Sequence, residues 1–397
     1  MLNPKINFLE FIESLPNMEK TRNFYSLKGY SLKPFEELLS NFKLSYRPKL
    51  RFSIVGTNGK GSLAHYLNTV LQSKYSVGLY TSPHLIHPYE RIRINGQNVQ
   101  DFILDEILNG MSIETQTKLK NYSYFEIFTL FCLLSFQELK LDYEIFEAGL
   151  GGRLDATKLV QSEVVILTKI DLDHMQILGS TKEKILLEKL GICNSSTKKI
   201  YALDPLNDKL KNIIQEFAKQ NSLELEIFKQ DDSSSNYLDI SYQLANFILR
   251  KEGISLDTSI LNKNWKDFPR PPGRLEIINN TPLIVYDTGH NPGACENLLK
   301  DLNKIYPNKS WDCMLSILPD KDVLGIYKIF QNAKNVETVY VSHFPPFSLD
   351  LIPNGISIAN ENHWVKTLKS NIKSERPTLV CGSFRVYRLL KEMFAND

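Results

Sequence analysis

Seven consecutive residues, Gly56-Thr57-Asn58-Gly59-Lys60-Gly61-Ser62, combine the groups that phosphate recognition needs. Glycines let backbone N–H groups converge on oxygen atoms, a lysine supplies charge, and a hydroxyl offers a magnesium ligand at a helix N-terminus. The chemistry this suggests is binding of a nucleoside triphosphate, with Lys60 on the terminal phosphates and Ser62 on magnesium. The spacing departs from the common G-x-x-x-x-G-K-[ST] pattern: Gly56 stands only four positions before Lys60, and Gly61 separates that lysine from Ser62. A generic glycine turn is the bland alternative. Thr168-Lys169-Ile170-Asp171 also resembles the [NT]-K-x-D segment with which GTP-binding switches read guanine. That match is short and leaves the other motifs of the chain unexplained.

A phosphate loop works between a strand and a helix. Residues 50–55 form an apolar run that stops at Gly56, and Leu63, Tyr66, Leu67, Val70 and Leu71 follow at helical spacing. Residues 76–81 read as the next strand, 122–139 as a long apolar helix, and 143–147 as a buried strand ending at Gly149, Gly151 and Gly152. A further strand is expected at 164–168 and a helix at 181–190, while 7–45 carry helical patterning interrupted near Lys28-Gly29-Tyr30. Strands alternating with helices predict a parallel sheet covered on both faces. After Ile254 the pattern breaks, and Pro269, Pro271 and Pro272 suit a stiff, extended linker. Alternation then restarts, with strands at 283–287, 311–317, 336–341 and 378–381. Helices are expected from Pro292, near 360–370, and to the end. The expected fold is therefore α/β. A P-loop parallel-sheet ATPase domain spans 1–268, a proline-rich linker 269–273, and a smaller Rossmann-like α/β domain 274–397.

Length and composition agree. At 397 residues the chain is too long for one ordinary core, and 42% apolar with 23% charged residues is globular composition. A net charge of +2 supplies no field for nucleic acid, so Lys198-Lys199 reads as solvated surface. No window reaches membrane-spanning length, and no signal peptide is evident. The five cysteines are scattered without a C-x-x-C pair, which argues against zinc and disulfides and fits a reducing cytoplasm. Cys132, in an apolar helical run, is read as core. A monomer without nucleic-acid or membrane partners is expected.

Beyond the loop, short segments recur in a recognisable order. They are Thr81-Ser82-Pro83-His84-Leu85, Glu90-Arg91-Ile92, Tyr124-Phe125-Glu126, and the run Glu147-Ala148-Gly149-Leu150-Gly151-Gly152-Arg153-Leu154-Asp155-Ala156-Thr157. Leu172-Asp173-His174, Glu188-Lys189-Leu190-Gly191-Ile192, Pro272-Gly273-Arg274, Asp287-Thr288-Gly289-His290-Asn291-Pro292 and Cys381-Gly382-Ser383-Phe384 follow. Together they resemble the folylpolyglutamate synthase/dihydrofolate synthase family, relatives of the Mur ligases, over nearly the whole chain. Gly61 after Lys60 resembles that family's loop, where Mur ligases usually have threonine or serine directly. Departures are Thr288-Gly289, Leu190, and Lys158, the last a change of charge beside the expected substrate region.

The resemblance implies transfer of the γ-phosphoryl of ATP to a carboxylate, followed by attack of the glutamate amine on the acyl phosphate. Lys60, His174 and Lys189 would be the catalytic groups. Residues 56–62, Arg274, Asp287 and His290 would bind ATP, with Asp287 on the ribose or adenine. Ser62 would hold one magnesium ion, and Ser82, Glu126 and His174 a second, joined by Lys189 as a carbamate. Phe125, Asp155 and Ser383 would meet the substrates, a folate or dihydropteroate and L-glutamate. Phe24, Tyr25 and the stretch 27–30 are further candidates for an aromatic pterin pocket. The second domain would close over the nucleotide and exclude water. A Mur-type amino-acid ligase and a GTP-binding switch are the alternatives. Each residue also has a plainer reading: Glu126 as a helix-start carboxylate, His174 as a structural histidine, Lys189 as a surface cation, and His290-Asn291-Pro292 as a helix cap.

Overall fold

The apolar run Leu50–Val55 forms β1, buried along all but its first residue, and the strands that flank it define a sheet. In this computed structural model, which describes residues 5–21, 29–204, 206–230, 235–318, 321–343 and 358–394, the first sheet has eight strands. These are β1, β2 (Val77–Tyr80), β3 (Ile92–Ile94), β4 (Gln97–Asn98), β5 (Tyr143–Glu147), β6 (Val164–Leu167), β7 (Lys199–Leu203) and β8 (Glu224–Phe228). Their order is β4-β3-β2-β5-β1-β6-β7-β8. From β2 to β8 all pairings are parallel, and only the β3 and β4 edge is antiparallel. β1 is thus central, between β5 and β6, and its C-terminal end carries the phosphate loop.

Two buried cores pack against the sheet, and the register puts the strand residues of both on one face. Phe8, Phe35, Ile127, Phe128 and Phe131 belong to one cluster with Tyr80 and Phe146. Ile185, Leu186, Leu190 and Ile214 belong to the other, with Val55, Val165 and Leu167. Cys132 lies in the first, fully buried, as expected. The long helix Tyr124–Leu139 opens at Ser123, whose side chain accepts from the Glu126 N–H. Lys198 is exposed, as expected of a solvated cluster, whereas Lys199 is half-buried at the start of β7, where it pairs with Glu224 at 3.0 Å and Glu252 at 3.6 Å.

A second sheet has six strands: β9 (Glu276–Asn280), β10 (Leu283–Asp287), β11 (Trp311–Leu315), β12 (Val336–His343), β13 (Ile358–Asn360) and β14 (Thr378–Cys381). The order is β13-β12-β11-β14-β10-β9, parallel except for β9. The chain divides into two compact units, residues 1–231 with 241–263, and 232–240 with 264–397. The boundary therefore differs from the one the prolines suggested. Residues 269–273 lie within the second unit, where the Gly273 N–H donates to Glu276 and the Gly273 carbonyl accepts from Thr288. Residues around Tyr237 join that unit because the Tyr237 hydroxyl donates to Asp287 and its N–H to Asp301.

Candidate active site

Gly56 follows β1 at φ 152°, and a Cβ there would lie 1.9 Å from Thr168 Oγ1. Gly59, at φ 90°, begins the helix Lys60–Leu71. Both positions exclude other side chains, so the loop geometry requires these glycines. The N–H groups of Thr57 and Asn58 donate to the Lys169 carbonyl. Thr57 Oγ1 donates to the Asp171 carbonyl (3.0 Å) and accepts from the Asp171 N–H (3.1 Å). These groups of the expected ATP-binding residues Thr57 and Asn58 thus brace the loop from behind. Asp171 pairs with Lys182 at 2.9 Å and Lys169 at 3.6 Å. The likeness of 168–171 to a guanine-reading segment is corrected accordingly: its carboxylate is held by two lysines and its main chain supports the loop.

Two amines converge on the Gly56 carbonyl, Lys60 Nζ at 3.1 Å and Lys189 Nζ at 2.8 Å. Lys189 is 4% exposed, which corrects its plain reading as a surface cation. Burial, and then the charge of Lys60, lower its pKa to about 7, against the opposing pull of Asp173 and Asp155. The Ser62 hydroxyl is also buried and has no hydrogen-bond partner among the described residues. An orphaned buried hydroxyl is costly unless something outside the protein completes it. A magnesium ion at the phosphate loop fits that vacancy of partners.

Ser82 follows β2, and its N–H donates to Glu147 Oε2 at 3.3 Å. Glu147 ends β5, is buried, and has its oxygens 3.5 and 3.6 Å from where a Gly61 side chain would begin. The carboxylate that joins Ser82 to the phosphate loop is therefore Glu147. Glu126 is engaged elsewhere: Oε2 accepts from the Ser123 N–H (2.8 Å) and hydroxyl (2.6 Å), and Oε1 from the Tyr30 hydroxyl (2.7 Å). This is a capping box at a helix start, so both oxygens of the carboxylate expected to bind magnesium with Ser82 and His174 already accept from protein donors. Glu147 stood in a recognised segment, but its significance comes from strand order, since β5 lies between β2 and β1. His174 follows β6 with a left-handed backbone (φ 48°), and its Nε2 lies 3.9 Å from Asp173 Oδ2. Among the described residues no three His, Cys, Asp or Glu side chains gather into a metal cluster. Ser82 and Glu147, which meet beside the phosphate loop that carries Ser62, are oxygen donors of the kind that suits magnesium.

The glycine-rich run after β5 docks on the helix Lys182–Leu190. A Cβ on Gly152 would stand 2.4 Å from the Lys189 carbonyl oxygen, and one on Gly191 2.5 Å from Arg153 Cβ. The Arg153 N–H donates to the Glu188 carbonyl, and its guanidinium pairs with the Glu188 carboxylate at 3.0 Å. Buried Asp155 organises this run, accepting from the Leu150 and Thr157 N–H groups and the Thr157 hydroxyl. Burial nevertheless raises its pKa. The Phe125 ring lies against Gly149, 2.9 Å from a Cβ placed there. Of the other pterin-pocket candidates, Phe24, Tyr25, Leu27 and Lys28 lie outside the described residues, while Tyr30 holds Glu126. In the segment after Ser82, Glu90 accepts from the Leu85, Ile86 and His87 N–H groups. Buried Arg91 donates to His84 and pairs with Glu19, and burial with Arg91's charge pushes His84 down to about 4.

In the second unit, Asp287 is buried at the end of β10 and accepts from the Leu275 and Gly289 N–H groups and from the Tyr237 hydroxyl. Those partners tie together 275–289, where the resemblance implied a ribose or adenine contact. Arg274 is half-buried, and His290 Nδ1 lies 2.9 Å from the Thr288 carbonyl oxygen. Asn291 caps the helix Pro292–Ile305 through the Ala294 N–H. Ser383 is buried and its hydroxyl accepts from the Arg385 N–H.

Residues 54–279 match the family described as the Mur ligase middle domain. The dihydrofolate synthase/folylpolyglutamate synthase of Haemophilus influenzae is 43% identical over 315 residues, 70% of this chain and 70% of its own. The structure of E. coli FolC in complex with DHPP and ADP is 25% identical, with a TM-score of 0.78 over 91% of this chain and 92% of that one. The bifunctional enzyme of Yersinia pestis, complexed with AMPPNP and Mn ion, is also 25% identical, with a TM-score of 0.78 over 92% and 93%. On these matches the chain belongs to the dihydrofolate synthase/folylpolyglutamate synthase family, within the Mur ligases.

Proposed function

We propose that this protein is an ATP-dependent ligase that joins L-glutamate to the carboxylate of a folate or dihydropteroate. The observation that carries the reading is the meeting of Lys60 and the buried, low-pKa Lys189 on the carbonyl of Gly56. Lys60 and the N–H groups at the start of its helix bind and neutralise the ATP phosphates. An acceptor carboxylate oxygen attacks the γ-phosphorus, the bond to the β-phosphate oxygen breaks, and ADP leaves. The glutamate amine then attacks the acyl carbon, the C–O bond to phosphate breaks, and the amine proton is lost. Lys189, half neutral near pH 7, adds through Nζ to carbon dioxide and loses a proton, becoming an anionic carbamate. Ser62, Ser82, Glu147, His174 and that carbamate would hold magnesium, which supplies charge neutralisation when bound.

Phe125 and the Asp155 run are assigned to the acceptor, Ser383 to glutamate, and Arg274 and His290 to the phosphates. Asp287 serves these by holding 275–289 in shape. Family membership and the names of the relatives favour folates over a nucleotide-linked Mur substrate. Among the described residues no helix is long and apolar enough to cross a membrane. A reducing cytoplasm is the proposed setting, one in which the five free cysteines stay as thiols. Phosphate release is the test of nucleotide use: it should need ATP, glutamate and acceptor together, and GTP in place of ATP should give little. Tight GTP binding without glutamate-dependent release would sink the ligase reading.

A further inference from the structure

The segment 168–171, whose guanine-reading likeness the fold does not use, lies against the phosphate loop throughout. Thr168 donates through its N–H and hydroxyl to the Val55 carbonyl and occupies the space that a side chain on Gly56 would need. The Lys169 carbonyl accepts from Thr57 and Asn58, and Asn58 forms an isolated bridge with Lys169. The Thr57 hydroxyl then both donates to and accepts from the main chain of Asp171, so both capacities of one side chain join the same two segments. The pairing of Asp171 with Lys182 extends the brace to the first turn of the helix that carries Lys189.

We propose that Thr57 is a positioning residue whose hydroxyl fastens 168–171 behind the phosphate loop and keeps the N–H groups of residues 59–62 set for ATP. The inference rests on the loop holding ATP phosphates. Donors fixed in advance need no rearrangement on binding, whereas a loop that visits other conformations binds with an affinity reduced by the fraction that is competent. Valine has the shape of threonine but can make neither bond. Losing two hydrogen bonds of ordinary net strength corresponds to about a tenfold loss in affinity.

The experiment compares full-length wild type, Thr57→Val and Thr57→Ser by ATP titration calorimetry, steady-state kinetics and thermal melting. Thr57→Val should raise the ATP Kd and KM about tenfold, change kcat at saturating ATP much less, and melt within a few degrees of wild type. Thr57→Ser should recover most of the affinity. Unchanged ATP binding by Thr57→Val overturns the proposal, as does a Thr57→Ser variant as impaired as the valine one, since the methyl group would then be what matters. Thr57→Ala, smaller and free of any packing clash, is read in the same way should the valine variant not fold. Wild-type protein that binds no ATP would instead sink the phosphate-loop assignment itself.

Discussion

Lys189 is the residue on which the chemistry turns, and its burial makes two separable predictions. Lys189→Ala should lower kcat by about a hundredfold or more, and added short carboxylates should restore part of it. No rescue in a folded variant counts against the carbamate. Wild-type activity should rise with pH through about 7, as the free amine that captures carbon dioxide becomes available. Stability has a defined sign as well. Folded Lys189 titrates near 7 against an ordinary 10.5, so between those values the unfolded chain binds more protons and stability rises with pH. Below 7 the penalty of the buried charge is fully present. In carbon-dioxide-free buffer, Lys189→Met should therefore gain more melting temperature over wild type at pH 6 than at pH 9; an equal gain at both would contradict a depressed pKa. The two glutamates should also separate. Glu147→Gln should reduce kcat about a hundredfold with little effect on melting. Glu126→Ala, which removes a cap and the Tyr30 bond, should cost about 1–2 kcal/mol of stability and leave kcat within a few-fold. The opposite pattern would return the metal role to Glu126. Sequence alone could not choose between them, because both stood in recognised segments and only strand order brings Glu147 to Ser82.

At the scale of elements, the glycine run after β5 and the helix Lys182–Leu190 act as one support, because Gly152 lets the two backbones touch. Gly152→Ala would press a methyl group into the Lys189 carbonyl oxygen, 2.4 Å away, and backbone must shift to relieve it. A melting loss of about 1–3 kcal/mol together with a lower kcat is expected, since the shift moves Lys189 itself. A loss of stability with kcat intact would mean that the contact does not position the lysine. Elements were legible where strands are buried on both faces and mostly apolar: β1, β5, β10 and β14 run over the residues the pattern marked. β7 and β8 were missed. They lie at the outer edge of the sheet, where β8 is only partly buried and Lys199 and Glu224 pair across strands, so the pattern resembles polar surface. The brace at 168–171 was visible only as a short likeness to a guanine-reading segment, because its work is done by main-chain groups.

For the whole molecule, the alternation of strands and helices made two α/β units legible, each with one antiparallel edge. Their boundary was not, because the prolines at 269–273 are bound within the second unit and the Tyr237 region reaches Asp287 and Asp301 from earlier in the chain. Such long-range hydrogen bonds leave no local signature. The identity of the acceptor likewise belongs to this scale, since it depends on the assembled protein rather than on any one motif. Purified full-length protein, supplied with ATP, magnesium and L-glutamate and offered dihydropteroate and tetrahydrofolate separately, tests the account most directly. Product mass should show one added glutamate residue on at least one acceptor, with ADP and phosphate formed in equal amount. No mass gain on either acceptor, from protein that binds ATP and is folded, would contradict the assignment.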